Sequence, residues 1–319
     1  GAAISDPGQT DAEQLIQKAD FALYEVKRSG RGKVASFDET LDQMQNKKET
    51  AAGDLALAIK NRSIGVFFQP VCNVKTKEVV GFECLMRWHH PERGMLSPAE
   101  FFDIAEDLGL MIDLDRHALR AGLDGLRHFR DLGYEDLSIG INVSPSTLGQ
   151  DDFVDVLKWE TDSRDLSPDA VVIEVMEAML LAEGADGDRS ASAILALSQA
   201  GFRTQLDDFG FSTAGLSHLA HYSLSGLKID RSMINGILDE SVNRKLTRTI
   251  IGVSSALDLD LVACGVETEQ LSRQAYDLGC HVQQGFALAR PMDINTASRW
   301  LDTGFAGLPR SIEAGAISA

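Results

Sequence analysis

The sequence predicts a (β/α)8 barrel of the TIM type, preceded by a short helix and a short strand. Three observations lead to this fold class. Eight apolar runs rich in β-branched and aromatic residues follow one another after residue 60, as strands do. Helical stretches separate most of these runs, and from residue 137 onward strand alternates with helix, which favours a mainly parallel sheet. Eight strands in roughly 250 residues match the size of a TIM barrel.

Each element has its own signal in the sequence. Apolar residues at helical spacing predict a helix over residues 11–30, which ends at glycine and basic residues, and residues 34–38 have the composition of a short strand. The eight predicted strands are residues 64–71, 79–88, 137–143, 170–177, 202–210, 224–230, 259–267 and 281–288. We therefore expect an N-terminal piece over 1–40, a linker helix over 41–54, the barrel over 55–305 and a flexible tail over 306–319.

Charge and cysteine usage limit the function classes. The chain has 48 acidic and 30 basic residues, a formal charge of −18, so duplex nucleic acid is not an expected partner. A phosphate-bearing ligand would need metal ions between its anionic oxygens and the carboxylates. The four cysteines lie in or beside apolar runs without a CxxC pair, which predicts reduced thiols, a cytosolic compartment and no zinc site. The sequence has no run of 18 apolar residues, so no membrane span is predicted.

Polar residues gather at the C-terminal ends of the predicted strands. They are Glu83, Asn142, Glu174 with Glu177, Asp207 with Asp208, Lys228 with Asp230, Glu267 and Gln284. TIM barrel enzymes build their sites at this face from the ends of several strands. Any one of these residues taken alone is equally well explained as a side chain facing water. Their recurrence on strand after strand favours one shared site.

The types of side chain predict the chemistry of that site. Glu83, Glu174 and Asp207 offer hard oxygen ligands and Asn142 adds a neutral carbonyl, a set that suits Mg²⁺ or Mn²⁺. With the adjacent Asp208, two ions could be held, and a two-metal site clamps a phosphodiester and generates hydroxide near neutral pH.

Basic and imidazole side chains complete the set of candidates. Lys228 would stabilise a developing phosphorane or position the attacking water. Arg87 would hold a phosphate with its planar guanidinium, and a surface ion pair is the alternative. We interpret His89 and His90 as structural, and we interpret the pair His218 and His221 as a solvated helix face rather than a metal site.

Several segments resemble EAL domains, the cyclic di-GMP phosphodiesterases. Residues 81–110, "GFECLMRWHHPERGMLSPAEFFDIAEDLGL", are similar to the signature of this family, with Glu83-Cys84-Leu85 in place of Glu-Ala-Leu. The motifs "FFQP", "INVSP", "IEVMEA", "LDDFG", "GLKIDRSMI", "CGVETEQ" and "QQGFALARPM" lie in the order of the family, from about residue 55 to 303. Residues 11–38 look like the last helix and strand of a GGDEF (diguanylate cyclase) domain, whose signature this chain lacks.

The resemblance implies hydrolysis of cyclic di-GMP to pGpG with two Mg²⁺ or Mn²⁺ ions. The implied metal ligands are Glu83, Asn142, Glu174, Asp207 and Asp208. The implied catalytic residues are Lys228, Asp208 and Glu267, the substrate-binding residues are Gln69, Arg87 and Gln284, and Glu177 steadies the loop after Asp208. The resemblance also implies a homodimer through the EAL domain and an upstream GGDEF domain, with room for sensory domains and a membrane tether before it.

Three departures from the family pattern bear on activity. Cys84 replaces the alanine of the signature, and we expect little effect from this exchange. The loop after Asp208 reads "FGFSTAGLSHL" instead of "FGTGYSSLSYL", which affects a loop that couples metal binding to dimer contacts. Cys264 replaces the first glutamate of "EGVE", which acts as a general base or holds a metal-bound water.

Cys264 separates two hypotheses about function. Nearby carboxylates should raise the pKa of its thiol, and a thiolate would be a soft ligand for a hard ion. Loss of a general base costs on the order of 10²–10⁴ in rate, although Glu267, three residues on, could compensate. The first hypothesis is a phosphodiesterase, with catalysis impaired at Cys264. The second is an inactive EAL domain that binds cyclic di-GMP or a protein partner without hydrolysis.

Overall fold

The structure is a computed structural model that describes residues 1–4, 11–28, 34–61, 63–180, 185–210, 222–238 and 242–303. The chain divides into two compact units. The smaller unit comprises residues 1–63 and 99–109, and the larger unit comprises residues 64–98 and 110–319. Among the described residues, no helix has the length and apolar character that crossing a membrane requires.

The smaller unit is helical. Its helices are α1 (Ala12–Arg28), α2 (Glu39–Lys60) and α3 (Phe102–Asp107). The helix predicted over residues 11–30 is confirmed by α1. The strand predicted over residues 34–38 is wrong, because this part of the described chain makes only an isolated bridge between Ser36 and Ala2. Pairing is confined to Ala2, whose N–H donates to Ala35 and whose carbonyl accepts from Phe37, so no ladder extends from it.

Helix α2 begins at Asp38, whose Oδ1 accepts a hydrogen bond from the N–H of Leu41 at 3.0 Å. This is the usual N-cap geometry. The helix then continues to Lys60, so the predicted boundary between residues 54 and 55 lies inside a continuous helix. The division into an N-terminal piece, linker, barrel and tail stays a prediction.

Eight strands of the larger unit close into a barrel. With β3, which lies outside the ring, the described strands of this unit are β1 (Ile64–Asn73), β2 (Glu78–His90), β3 (Gly94–Leu96), β4 (Ser138–Asn142), β5 (Val171–Met176), β6 (Arg203–Phe209), β7 (Gly226–Ile229), β8 (Asp260–Ala263) and β9 (Val282–Gln283). The ring runs β1-β9-β8-β7-β6-β5-β4-β2 and closes through the pairing of β2 with β1, while β3 pairs with β2 outside the ring. The predicted (β/α)8 fold and the positions of its eight strands are confirmed.

Helices follow the strands around the barrel. They are α4 (Met111–Asp131), α5 (Pro145–Leu148), α6 (Phe153–Asp162), α7 (Glu177–Leu180), α8 (Ala185–Gln199), α9 (Arg231–Asn235), α10 (Val242–Ala256), α11 (Glu269–Leu278) and α12 (Ile294–Asp302). An aromatic cluster packs α4 onto the sheet, in which the rings of Phe82 and Phe129 stack with centroids 4.8 Å apart. Because successive strand residues face opposite ways, the burial of Phe82 in this outer layer turns Glu83 into the barrel.

One strand runs against the others. Strand β1 pairs antiparallel with both β2 and β9, whereas the remaining neighbours in the ring are parallel. Only residues 74–77 separate β1 from β2. A link this short can form a hairpin but cannot make the crossover of a dozen or more residues that parallel strands need.

Strands β8 and β9 are shorter than the predicted ranges 259–267 and 281–288. Gly265 has a φ of +69°, in the left-handed region, which ends the extended conformation after β8. At Gly285 a Cβ would overlap the backbone of Val266, so the chain passes close to its neighbour there. Cys264 and Gln284 therefore lie immediately beyond the last paired residues, at the C-terminal mouth of the barrel.

Candidate active site

The C-terminal mouth of the barrel collects side chains from four strands around one lysine. The Lys228 Nζ on β7 lies 2.9 Å from Glu83 Oε2 on β2 and 2.7 Å from Glu174 Oε2 on β5. It also lies 3.6 Å from Asp207 Oδ1 on β6. Lys228 is 2% exposed, so its ammonium interacts with these carboxylates out of reach of bulk water. Screening by solvent is weak in such a position, and the attraction is correspondingly strong.

Glu83 has the most donors in this group. Its Oε1 accepts from Asn142 Nδ2 at 2.7 Å, and its Oε2 accepts from Gln284 Nε2 at 2.7 Å and from Lys228. Gln284 Nε2 also lies 3.4 Å from Gln69 Oε1, and Gln69 Nε2 donates to the carbonyl of Ala289 at 3.3 Å. The structure thus joins side chains that are as much as 215 residues apart in the sequence.

The charges in the group shift its pKa values in different directions. Burial acts to lower the pKa of Lys228, but the charges of the three carboxylates raise it by more than this. The pKa of Lys228 therefore lies well above its usual value. Burial and the charge of Glu83 raise the pKa of Glu174 well above its usual value. Burial also acts to raise the pKa of Glu83, yet Lys228 and the amide donors lower it below its usual range. Of the two buried glutamates, Glu174 is therefore the one whose charged form is disfavoured.

The donor set fits a divalent cation. One carboxylate oxygen each from Glu83, Glu174 and Asp207 lies within 4.8 Å of the others, and Glu83 and Glu174 are buried. Hard oxygen ligands of this kind suit Mg²⁺ or Mn²⁺. Asn142 is hydrogen-bonded to Glu83 and so lies within the same group. The structure therefore brings together four of the five predicted metal ligands.

The fifth, Asp208, lies beside this group. Its backbone has a φ of +54°, and its N–H donates to Asp207 Oδ1 at 2.9 Å. Burial and the charges of Asp207 and Asp230 raise the pKa of Asp208 to about 6. Aspartate tolerates the left-handed conformation better than most residues.

Cys264 lies against the same group. Its Sγ is 3.6 Å from Gln284 Oε1, on the amide whose nitrogen donates to Glu83. Burial, together with the charges of Asp207, Glu83 and Glu174, raises the pKa of the Cys264 thiol well above its usual value, against the opposite effect of Lys228. The residue is therefore a neutral thiol next to the carboxylates. The other cysteine of interest, Cys84, faces the outer layer, where its Sγ lies 3.7 Å from the Ala118 carbonyl.

Two predicted site residues lie apart from the lysine–carboxylate group. Glu267 Oε1 forms an ion pair with Arg231 Nη2 at 3.1 Å. Arg87 is on the same face of β2 as Glu83, and its Nη1 donates to the carbonyl of Met86 at 2.7 Å. Burial lowers the pKa of Arg87, while the charge of Glu83 raises it, so the two side chains interact electrostatically.

The remaining candidates are Glu177 and three histidines. Glu177 is buried at the first residue of α7, but the loop that it was predicted to steady lies largely in 211–221, outside the described residues. His218 and His221 also lie outside the described residues. His90 is buried, and its Nδ1 accepts from the N–H groups of Glu92 and Arg93, which agrees with a structural role.

Gly140 shapes the site although it has no side chain, and its role was not predicted from the sequence. Gly140 on β4 lies opposite Glu83 on β2, and a Cβ at this position would overlap Glu174 Oε1. The glycine therefore provides the space in which the Glu174 carboxylate reaches Lys228. The sequence "SIGIN" of β4 does not indicate this role, because the side chain that needs the space, Glu174, comes from another strand.

We expect Gly140→Ala to weaken metal binding. The added methyl group must displace the Glu174 carboxylate, and overpacking of this kind costs about 1–3 kcal/mol in a well-packed interior. Mn²⁺ affinity measured by titration should fall at least tenfold. The matched control is Gly65→Ala on β1, where a Cβ meets nothing within 4 Å and neither stability nor affinity should change. Equal Mn²⁺ affinity in both variants would contradict the role assigned to Gly140.

Comparison with known proteins identifies the family and agrees with the fold. The EAL domain model matches residues 52–291. The chain belongs to the EAL domain family. It is 31% identical over 285 residues to the bifunctional diguanylate cyclase/cyclic di-GMP phosphodiesterase MucR of Pseudomonas aeruginosa, covering 89% of this chain and 41% of that protein. It is 29% identical over 300 residues to the cyclic di-GMP phosphodiesterase PdeR of Escherichia coli, covering 94% and 45%.

A solved structure agrees as well. The PaMucR phosphodiesterase in its complex with c-di-GMP superposes with a TM-score of 0.74 at 31% identity, covering 78% of this chain and 99% of that one. The chain thus spans less than half the length of the two curated relatives, and nearly the whole of the solved phosphodiesterase domain.

Proposed function

We propose that this EAL domain binds cyclic di-GMP and hydrolyses it to linear pGpG with two Mg²⁺ or Mn²⁺ ions, at a rate reduced by Cys264. The observation that carries the proposal is the buried Lys228 among carboxylates from three strands at one barrel mouth. This composition fits a two-metal phosphodiester hydrolase. The names of MucR and PdeR include cyclic di-GMP phosphodiesterase activity, which supports the choice of substrate.

The proposed metal ligands are Glu83, Asn142, Glu174 and Asp207, with Asp208 beside them. Bound divalent ions supply Lewis-acid stabilisation of the phosphate and lower the pKa of water. The carboxylates would repel the phosphodiester of an anionic substrate on their own, so the same residues that hold the ions make the ions necessary. Burial and the charge of Glu83 favour the protonated form of Glu174, and this opposes ion binding, because a protonated carboxyl is a poor ligand.

Lys228 acts in this proposal as a permanent positive charge. Burial acts to lower the pKa of Lys228, but the neighbouring carboxylates keep it well above its usual value. The side chain is therefore already protonated near neutral pH and cannot act as a base. An ammonium at this place can orient the attacking water through a hydrogen bond and stabilise negative charge that develops on the phosphate.

The remaining roles follow from position. Gln69 and Gln284 contact each other beside Glu83, and Arg87 lies two positions beyond Leu85 on the same face, so all three are proposed to bind the substrate. Asp208, with a pKa of about 6, is proposed as a proton acceptor as well as a ligand, since a base works best when its pKa is near the working pH.

Two further glutamates have proposed roles, Glu267 in catalysis and Glu177 in the loop after Asp208. Glu267 is proposed to substitute in catalysis for the glutamate that Cys264 replaces. Its ion pair with Arg231 would have to open before Glu267 could act. Glu177 is proposed to steady the loop that follows Asp208.

Cys264 is the reason to expect slow turnover. A neutral thiol cannot serve as a general base, and its position 3.6 Å from Gln284 Oε1 gives it only a weak hydrogen bond. We expect Cys264→Glu to raise the rate of pGpG formation with Mn²⁺ at least tenfold, because a restored carboxylate can accept a proton from water. Product analysis by chromatography measures the rate. The matched control is Cys84→Ala on the outer face of β2, which should leave the rate unchanged.

The same assay separates catalysis from binding alone. Cyclic di-GMP affinity is measured in Ca²⁺ in parallel with turnover in Mn²⁺. Binding without pGpG formation, in both the unmodified chain and Cys264→Glu, would favour the alternative, a receptor that signals through its ligand-bound state. Absence of both binding and turnover would reject cyclic di-GMP as the ligand and leave a protein-interaction role.

We further propose that the chain forms homodimers through the EAL domain and that residues 1–40 are the end of a GGDEF domain. The larger size of the MucR and PdeR relatives is compatible with upstream domains, sensory domains among them. A cytosolic location is proposed from the four free cysteines, since structural thiols stay reduced in that compartment. A membrane tether through upstream segments is compatible with this arrangement.

A further inference from the structure

The segment from Gln284 to Met292 crosses the rim of the site and is fixed at three points. Gln284 Nε2 donates to Glu83 Oε2 at its start. The carbonyl of Ala289 accepts from Gln69 Nε2 in its middle. At its end, Met292 forms an antiparallel bridge with Phe68, with backbone hydrogen bonds of 2.8 and 3.1 Å. The segment thus contains one proposed substrate-binding residue, Gln284, and is bonded to a second, Gln69, and to the strand that carries Gln69.

The turn within this segment is also held in place. The Val266 N–H donates to the carbonyl of Gln284, and the Ala287 N–H donates to the carbonyl of Val266, both at 3.0 Å. The carbonyl of Gly285 accepts from Leu288 and Ala289, which closes the turn. Phe286 lies between these bonds, so its backbone has a defined position beside the site.

Phe286 presents an aromatic ring to solvent at this place. The residue is 44% exposed, although the cost of leaving apolar surface in water favours burial. The guanidinium carbon of Arg290 lies 4.2 Å from the centroid of its ring, which is a cation–π contact. The pair is a partly exposed surface with a positive charge, and it follows closely in the chain after Gln284, which donates to Glu83.

We propose that Phe286 and Arg290 form a platform on which one purine base of the dinucleotide stacks. Bases stack on aromatic rings and on guanidinium planes, and a positive charge beside the base attracts the neighbouring phosphate. The platform determines the preference for a nucleotide substrate over other phosphodiesters, whereas the lysine–carboxylate group holds the metal ions and the reacting phosphate. This assignment rests on the proposed function.

The first test is Phe286→Leu, which keeps an apolar side chain and removes the ring. We expect the Kd for cyclic di-GMP, measured by titration calorimetry in Ca²⁺, to rise about tenfold or more, the usual effect of losing one stacked base. Phe286→Trp should bind as tightly as the unmodified chain. Mn²⁺ affinity and the urea midpoint should be unchanged in both variants. The matched control is Trp159→Leu, an exposed aromatic residue on α6, which should not affect the Kd.

The second test separates stacking from charge. Arg290→Gln should weaken binding more at 50 mM than at 500 mM salt, because added ions screen the lost charge. The loss in Phe286→Leu should depend little on salt. If the unmodified chain binds cyclic di-GMP and Phe286→Leu binds it equally well, the platform is overturned and the proposed function stands. If the unmodified chain does not bind cyclic di-GMP, the proposed function and the platform fail together.

Discussion

Lys228→Met is expected to lower the free energy of unfolding of the metal-free protein by about 3–5 kcal/mol. The lysine contacts three carboxylates at 2.7, 2.9 and 3.6 Å and is 2% exposed. Methionine fills a similar volume without the charge, so buried carboxylates are left without compensation. Urea unfolding in EDTA measures the loss. Added Mn²⁺ should recover part of the stability, because divalent ions replace the missing positive charge.

A lysine elsewhere on the barrel provides the matched control. Lys158 on α6 is 49% exposed and lies 3.7 Å from Asp155, so it forms a surface pair worth little. Lys158→Met should change the urea midpoint very little with or without metal. A midpoint for Lys228→Met in EDTA that equals this control would show that the central lysine does not hold the site together. Turnover should be lost in Lys228→Met even where Mn²⁺ restores stability.

The positions of the strands and most members of the group at the barrel mouth could be predicted from the sequence, and the reason is geometric. Strands that run parallel end at the same face, so a polar residue that closes an apolar run must lie near the others. This holds for Asn142, Glu174, Asp207 and Lys228, which lie on neighbouring parallel strands. The order of the strands does not matter for this prediction, because every order of parallel strands brings these ends to one mouth.

The details that depend on pairing across the barrel could not be predicted. The antiparallel direction of β1 follows from a short link, yet the contact of Gln69 with Gln284 depends on where β1 meets β9. The need for glycine at position 140 arises only from the adjacent Glu174 side chain. Glu267 also depends on such detail: it follows an apolar run, but the left-handed Gly265 ends the strand first, and the side chain pairs with Arg231.

The central group also shows why equal residue types need not have equal roles. Glu83 and Glu174 are both buried glutamates that contact the same lysine. Glu83 accepts from Asn142 and Gln284 as well, so its charged form is stabilised by three donors. Glu174 has only the lysine among these donors and lies near two other carboxylates, so its pKa is raised, by burial first and by the charge of Glu83 second. A sequence cannot distinguish the two, because the donors come from other strands.

This asymmetry leads to different expectations for Glu83→Gln and Glu174→Gln. Both variants remove a proposed metal ligand, so Mn²⁺ affinity should fall at least about 100-fold in each, and pGpG formation should fall with it. In EDTA, Glu174→Gln should change the free energy of unfolding by no more than about 1 kcal/mol, because burial and the charge of Glu83 already disfavour the charged form that the amide replaces. Glu83→Gln should cost at least about 2 kcal/mol, since its amide places a donor among donors and leaves Lys228 with less negative charge.

Urea unfolding and Mn²⁺ titration of the two variants, side by side, measure the contrast. The pair forms its own control, because each variant replaces the same residue type with the same amide in the same group. Equal destabilisation in EDTA would contradict the opposite pKa shifts of Glu83 and Glu174. Retention of Mn²⁺ affinity in both variants would remove the carboxylate group as the metal site, and with it the basis for a two-metal reaction at the barrel mouth.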